Sequence, residues 1–141
     1  MKISTKGRYA LRVLIDLAEN NKGDYIPLKE IAERQEISQK YLEGIIAELS
    51  KKVLLDALHG KGGGYKLIKD PEDYKVSEII EALEGSLAPI ECLEKNAKPC
   101  KRAQDCRTLP MWTGLYKVIK DYLDNISLAD LTKNKVDNYI I

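Results

Sequence analysis

Residues 27–69 read PLKEIAERQEISQKYLEGIIAELSKKVLLDALHGKGGGYKLIK, and this stretch decides the fold. Leu28, Ile31 and Ala32 recur at helical spacing over residues 27–35, which predicts a short helix. The connection QEIS then leads to Ser38, a good N-cap for a second helix beginning at Gln39. Leu42, Ile45, Ile46 and Leu49 give that helix one apolar face. Two short helices joined by a tight turn, with polar residues early in the second, fit a helix-turn-helix. Val53–Leu58 and Tyr65–Ile68 predict strands, and HGKGGG between them a hairpin tip. Gly60, Gly62, Gly63 and Gly64 tolerate the positive φ that a compact turn demands. A two-stranded hairpin is marginal alone, so it must lean on the helices beside it. That arrangement is a winged helix.

The flanking sequence adds helices on both sides. From Thr5 to Asn20, apolar Tyr9, Val13, Leu14, Leu17 and Ala18 recur at helical spacing. Gly23 can stop that helix, and Pro27 suits the start of the next. DPEDY starts a further helix, VSEIIEALEG, closed by Gly85. Residues 86–108 form a loop that carries every cysteine, and Met111–Ile126 predicts a longer helix. Trp112, Leu115, Ile119, Tyr122 and Ile126 form a heptad seam too short for a stable isolated coiled coil. The bland alternative packs the seam on its own domain; a domain of short helices has little core to spare for a whole extra stripe, which points to pairing between two chains. Ser127 and Asp130 look like a capping-box variant opening SLADLTKNK. The expected architecture is mainly α with a small β-hairpin wing. It comprises a winged helix-turn-helix DNA-binding domain (1–85), a cysteine-bearing loop (86–108), and a long C-terminal dimerisation helix with its tail (109–141).

At 141 residues the chain can bury a core without staples, and 44% hydrophobic with 32% charged residues is ordinary for a globular protein. No apolar run approaches the roughly 20 residues that a membrane span needs. Arg12 and Asp16 interrupt the apolar stretch near the N-terminus, and no small-residue cleavage pattern follows. The expectation is a cytoplasmic protein with reduced thiols. A net charge of +1 conceals blocks of opposite sign. Lys2, Lys6, Arg8 and Arg12 open the chain, and Lys51, Lys52, Lys61, Lys66 and Lys69 follow; residues 70–94 are acidic. Such blocks are either solvated faces or, in the first half, a face for a polyanion.

On the polyanion reading, the first turn of the second helix-turn-helix helix reaches base edges in the major groove. Ser38, Gln39, Lys40, Tyr41 and Glu43 are the residues there. Glu can accept from a cytosine amino group, while Lys, Ser and Tyr hold bases or phosphates. His59, Gly60, Lys61 and Gly62 at the wing tip suit a narrow minor groove, and Lys6 and Arg8 add positive charge. The bland alternative leaves the glycines serving the turn alone. His59 is the only histidine, and the chain has no CxxC, no GxxxxGK[ST] and no Ser/His/Asp set, so an enzyme is not expected. Three cysteines within residues 92–106 cannot all close into internal disulfides.

MKISTKGRYALRVLIDLA, PLKEIAERQEISQKYLEGIIAEL, HGKGGGYKL and VSEIIEALEG resemble the bacterial winged-helix regulators of the IscR/NsrR/CymR family, in its iron–sulfur branch. The resemblance runs from residue 1 to about residue 130. It implies a homodimeric transcription factor, a repressor, whose long C-terminal helices cross at the dimer interface on a pseudo-palindromic operator in double-stranded DNA. It also implies that Ser38, Lys40, Tyr41, Glu43, His59, Gly60 and Lys61 lie at DNA, with His59 where arginine is usual in that branch. Cys92, Cys100 and Cys106 occupy the positions of the ligands of an iron–sulfur cluster, of 2Fe–2S type.

Thiolates suit iron, and Lys95, Lys98, Lys101, Arg102 and Arg107 favour the thiolate form. The cysteine spacing is not that of a zinc finger. Where cluster-bearing members have a histidine three residues past the last cysteine, this chain has Leu109. The fourth ligand is then unknown, with Asp105, Glu91, Glu94, Thr108, a group from the partner chain and an exogenous thiol as the candidates. Arg8 stands where the nitric-oxide-sensing branch carries an acid, which argues against that branch. The alternative is a cluster-free regulator of the same fold, responding to thiol oxidation or to a protein corepressor.

Overall fold

The core begins with the apolar stripe of the first helix. A computed structural model describes residues 3–133, so Lys2 and residues 134–141, the end of the expected C-terminal element, lie outside the described residues. Helix α1 (Thr5–Glu19) buries Ala10, Val13, Leu14 and Leu17 against Ile31 of α2 (Leu28–Gln35) and Leu42, Ile45 and Leu49 of α3 (Gln39–Lys51). Each fully buried aliphatic side chain contributes about 2 kcal/mol of transfer free energy. Ser4 and Ser38 cap α1 and α3, their hydroxyls accepting from the amides of Gly7 and Tyr41 at 3.1 and 3.2 Å. Between α2 and α3, Glu36 adopts a left-handed conformation, φ 54°, and its amide closes the end of α2. That single residue turns the chain sharply enough for α3 to cross α2.

A polar clamp sets how α2 meets α1. Asp16, 1% exposed in the middle of α1, accepts from Arg34 Nη2 and Nε at 2.8 and 2.9 Å and from Gln35 Nε2 at 2.9 Å. One helical turn earlier, Arg12 donates to the side chain and the carbonyl of Gln35.

The wing is an antiparallel pair, β1 (Leu55–Leu58) and β2 (Gly64–Leu67), in register from Leu55 opposite Leu67 to Leu58 opposite Gly64. Both strands are shorter than or offset from the expected ones. Ile26, just before α2, exchanges two 2.8 Å backbone hydrogen bonds with Tyr65 and so adds a third, one-residue rung. Gly60 and Gly62 take positive φ as expected, 94° and 78°, but Gly63 and Gly64 do not. Those two are needed for close approach: a Cβ on Gly64 would sit 2.3 Å from the Ile26 carbonyl oxygen. Tyr74, fully buried, donates to the Leu54 carbonyl at 2.7 Å and accepts from the Ile68 amide at 3.0 Å, pinning the base of the wing to the core.

Residues Pro71–Asp73 form a 3-10 turn rather than the start of a helix, and α4 runs Val76–Glu84 before Gly85 ends it with φ 86°. Helix α5 runs Leu109–Asp124, two residues earlier at each end than the sequence suggests. Its C-terminal end is tied to the winged unit. Ser77 donates to Asp124, the Val76 amide donates to the Ile126 carbonyl at 2.9 Å, and Leu128 is fully buried in the main core. Ser127 and Asp130 form the expected reciprocal cap, at 2.9 and 3.2 Å, but it opens only a 3-10 turn, Ala129–Leu131.

The expected seam on α5 is corrected. Ile119 packs with Tyr116 and Leu123 on the chain's own Val76, Ile80 and Leu87, and Ile126, beyond the helix end, joins them. The outward stripe keeps Leu115 and Tyr122 of the expected seam, the latter 67% exposed, and adds Met111 and Val118, while Trp112 is half-buried. The helix has an apolar residue on two faces, and a heptad count alone does not choose between them.

Arg34→Ala would leave the Asp16 carboxylate buried with Gln35 as its remaining side-chain donor. We expect a loss of about 3 kcal/mol in denaturant unfolding. In a double-mutant cycle with Asp16→Ala, the double variant should lose less than the sum of the two single variants.

Candidate nucleic-acid interface and cysteine loop

Burial of Leu42, Ile45, Ile46 and Leu49 leaves the opposite face of α3 to solvent, and Ser38, Gln39, Lys40, Tyr41 and Glu43 are all exposed there. Among the described residues the side chains of Gln39, Lys40 and Glu43 make no hydrogen bond or ion pair, so their polar groups are free for a partner. Ser38 is partly committed through its cap on Tyr41. The Tyr41 ring meets the Tyr9 ring edge-on, with centroids 5.9 Å apart. Gly44, one turn on from Lys40 and Tyr41, has nothing within 4 Å of a Cβ position. Among the described residues no packing requires glycine there, although a helix-interior glycine costs about 1 kcal/mol relative to alanine. The open notch it leaves beside the free polar groups was not singled out from sequence.

At the wing tip His59, Gly60, Lys61 and Gly62 are exposed, and among the described residues neither the His59 nor the Lys61 side chain is paired. The basic N-terminal run divides. Arg8 is exposed, and among the described residues its guanidinium is bonded only to Thr5 Oγ1, at 3.1 Å. Lys6 pairs with Glu48 of α3, and its hydrogen bond, then its charge, holds the Glu48 carboxyl below the ordinary range. Arg12 is turned inward to α2 and is not part of a free basic face.

The cysteine loop has one 3-10 turn, Glu91–Leu93. Cys92 and Cys100 are exposed, Cys106 is half-buried, and all three are free thiols. Among the described residues no three His, Cys, Asp or Glu side chains converge closely enough to hold a metal ion. The three thiols therefore fit an iron–sulfur cluster in kind but not in the placement they have here. Cys106 Sγ lies 3.5 Å from Thr108 Oγ1, which together with the Thr108 and Leu109 amides holds its thiol below the ordinary range. Arg102 adds a smaller electrostatic share. Of the expected cationic neighbours Arg102 contributes at Cys106, but the larger causes are a hydroxyl two residues on and an amide beside it, which a count of charges does not reveal.

Of the expected fourth ligands, Glu91 and Glu94 line a cleft of about 730 Å³ with Cys92, between the end of α4 and Tyr116 of α5. Asp105 is exposed, and Leu109 is half-buried at the first position of α5. The loop is tied at its entrance. Glu84, the last residue of α4, accepts from the backbone amide of Ser4 at 3.0 Å and from its hydroxyl at 2.5 Å. Its carboxylate thus sits on the N-terminus of α1, where negative charge is favoured. A Cβ on Gly7 would lie 2.3 Å from that carboxylate, so glycine makes the seat.

The model of the Rrf2 family, iron-dependent transcriptional regulators, matches residues 3–134. The chain is 36% identical over 135 residues to the HTH-type transcriptional regulator IscR of Escherichia coli (strain K12 / DH10B), covering 96% of this chain and 82% of that one. It superposes on CymR of B. subtilis, the global cysteine regulator, with a TM-score of 0.73 and 31% identity, covering 100% of this chain and 99% of that one. For IscR of T. potens the TM-score is 0.72 and the identity 35%, with coverage of 100% and 93%.

Thr108→Val removes the hydroxyl that stabilises the Cys106 thiolate. In iodoacetamide labelling followed by mass spectrometry, the pH midpoint for Cys106 should rise. An unchanged midpoint would mean that the amides alone set the thiol.

Proposed function

The chain belongs to the Rrf2 family of DNA-binding transcriptional regulators, and from that premise we propose that its grip on DNA is modulated by an iron–sulfur cluster held in the 86–108 loop. The observation that carries this is the placement of all three thiols in the one segment joining the winged unit to α5. Cys92, Cys100 and Cys106 would hold the cluster, of 2Fe–2S type, with a fourth ligand from Glu91, Glu94, Asp105, Thr108, the partner chain or an exogenous thiol. Bound there, it would supply an iron- and redox-sensitive tie between the thiols. The similarity to IscR proteins supports this branch.

The protein's own residues do the rest. The first turn of α3 (Ser38, Gln39, Lys40, Tyr41 and Glu43) reads a major groove, while His59, Gly60, Lys61 and Gly62 press on the adjoining minor groove. Lys6 and Arg8 sit at the N-terminus of α1, which Glu84 fastens to the start of the loop. A cluster held there would tie the loop between Glu84 at one end and Thr108 and α5 at the other. A ligand changes DNA affinity only through its differential affinity for the two loop states.

The outward stripe of Met111, Leu115, Val118 and Tyr122 is the dimer face, and a two-fold dimer matches a pseudo-palindromic operator. Among the described residues no helix is long and apolar enough to cross a membrane. The cytoplasm, where thiols stay reduced, suits the site. A repressor's action follows where the operator overlaps a promoter.

A second reading is favoured by the thiols standing apart and by the similarity to CymR. In it the fold and DNA binding are the same, but the loop responds to thiol oxidation or to a protein corepressor. Anaerobic purification separates the two. On the cluster reading the protein carries iron and sulfide and absorbs in the visible, and Cys92→Ala, Cys100→Ala and Cys106→Ala each lose both. Colourless, iron-free protein that resists reconstitution, with a duplex response to oxidant that survives, selects the second reading. Val118→Asp should convert a dimer to a folded monomer in sedimentation equilibrium, with duplex affinity falling at least about tenfold as one half-site is lost.

A further inference from the structure

Arg12 lies in the basic run with Lys6 and Arg8, yet the structure seats it on α2. Its Nε donates to Gln35 Oε1 at 3.1 Å, and its Nη2 donates to the Gln35 carbonyl. From that seat the guanidinium lies over the Tyr9 ring, 4.9 Å from the centroid. The Tyr9 ring meets Tyr41 edge-on, with an interplanar angle of 86°. Gln35, Arg12, Tyr9 and Tyr41 thus form a column that joins the end of α2, through α1, to the first turn of α3. Its outer member, Tyr41, is 42% exposed between Lys40 and Glu43.

We propose that Arg12 is a positioning residue for sequence recognition: it fixes the Tyr41 ring, and with it the first turn of α3, and makes no phosphate contact of its own. Only a planar fork can bond the side chain and the carbonyl of Gln35 together while keeping its face on an aromatic ring. Lysine carries the same charge and cannot do both. Each contact in the column is individually modest. The fold itself rests on Val13, Leu14 and Leu17, which are buried. The column therefore biases the orientation of the reading residues rather than holding the domain together. This rests on the reading that the first turn of α3 meets bases.

The test compares wild type with Arg12→Ala, Arg12→Lys, Tyr9→Phe and Lys61→Ala, using a duplex that wild type selects from a random pool and poly(dI-dC) as the non-specific probe. Arg12→Ala and Arg12→Lys should each lower the ratio of selected to non-specific affinity about tenfold, the scale of one mismatched base pair. The slope of log affinity against log salt should not change in either. Tyr9→Phe keeps the ring and should keep the ratio. Lys61→Ala, a phosphate-type control, should lower the slope by about 1 and leave the ratio intact.

Arg12→Lys behaving as wild type, or a slope lowered by about 1 in Arg12→Ala, would mark a phosphate contact and overturn the proposal. Circular dichroism checks folding; if Arg12→Ala does not fold, Arg12→Lys decides alone. Wild type that enriches no sequence sinks the reading of α3 and the proposal with it. Wild type that selects a duplex, with Arg12→Lys equally selective, sinks the positioning role only.

Discussion

The geometry of the reading head depends on one buried carboxylate. Asp16 sits inside the domain at 1% exposure, and an ion there is tolerated only when its oxygens are met by well-placed donors. Arg34 and Gln35, the last two residues of α2, meet them. The end of α2 therefore has one seat on α1. The left-handed Glu36 follows at once and sends the chain into α3. The direction of α3 is thus a consequence of a charge that cannot be left unpaired. The wing is placed by two further ties of the same kind, the buried Tyr74 hydroxyl and the Ile26–Tyr65 rung, each satisfying backbone groups that burial would otherwise penalise.

The loop that holds the thiols has no comparable interior of its own. It leaves the winged unit after Glu84, which is fixed to the N-terminus of α1, and rejoins at Thr108, which bonds Cys106 and precedes α5. The far end of α5 is fastened back to α4 and to the main core through Leu128. A change in the loop therefore acts against two anchored elements, one leading to the residues at the start of α1 and the other to the apolar stripe of α5. That stripe leaves Met111, Val118 and Tyr122 more than half exposed in a single chain.

Much of this is legible in the sequence because it rests on local signals. Helical spacing, Ser38 as a cap and the glycine tip are each written within a few residues, and together they specify the winged helix. The parts that are not legible depend on partners far apart in the chain. Asp16 reads as an interruption of an apolar run until Arg34 and Gln35 are brought to it. Arg12 reads as a basic surface residue until Gln35 takes its guanidinium. The seam on α5 is ambiguous because Tyr116, Ile119 and Leu123 line one face while Leu115, Val118 and Tyr122 line another, and only packing against Val76 and Ile80 decides which faces inward. The thiols are plain in the sequence, but their separation in space is set by the course of the loop between them.

On the proposed function, the first turn of α3 and the tip of the wing meet duplex DNA in the frame that Asp16 sets. Amide hydrogen exchange, measured on the protein with and without a duplex drawn from a random pool, addresses it most directly. New protection is expected over residues 38–43 and 59–62. Protection that leaves residues 38–43 unchanged and gathers on another face, such as α5, would contradict it.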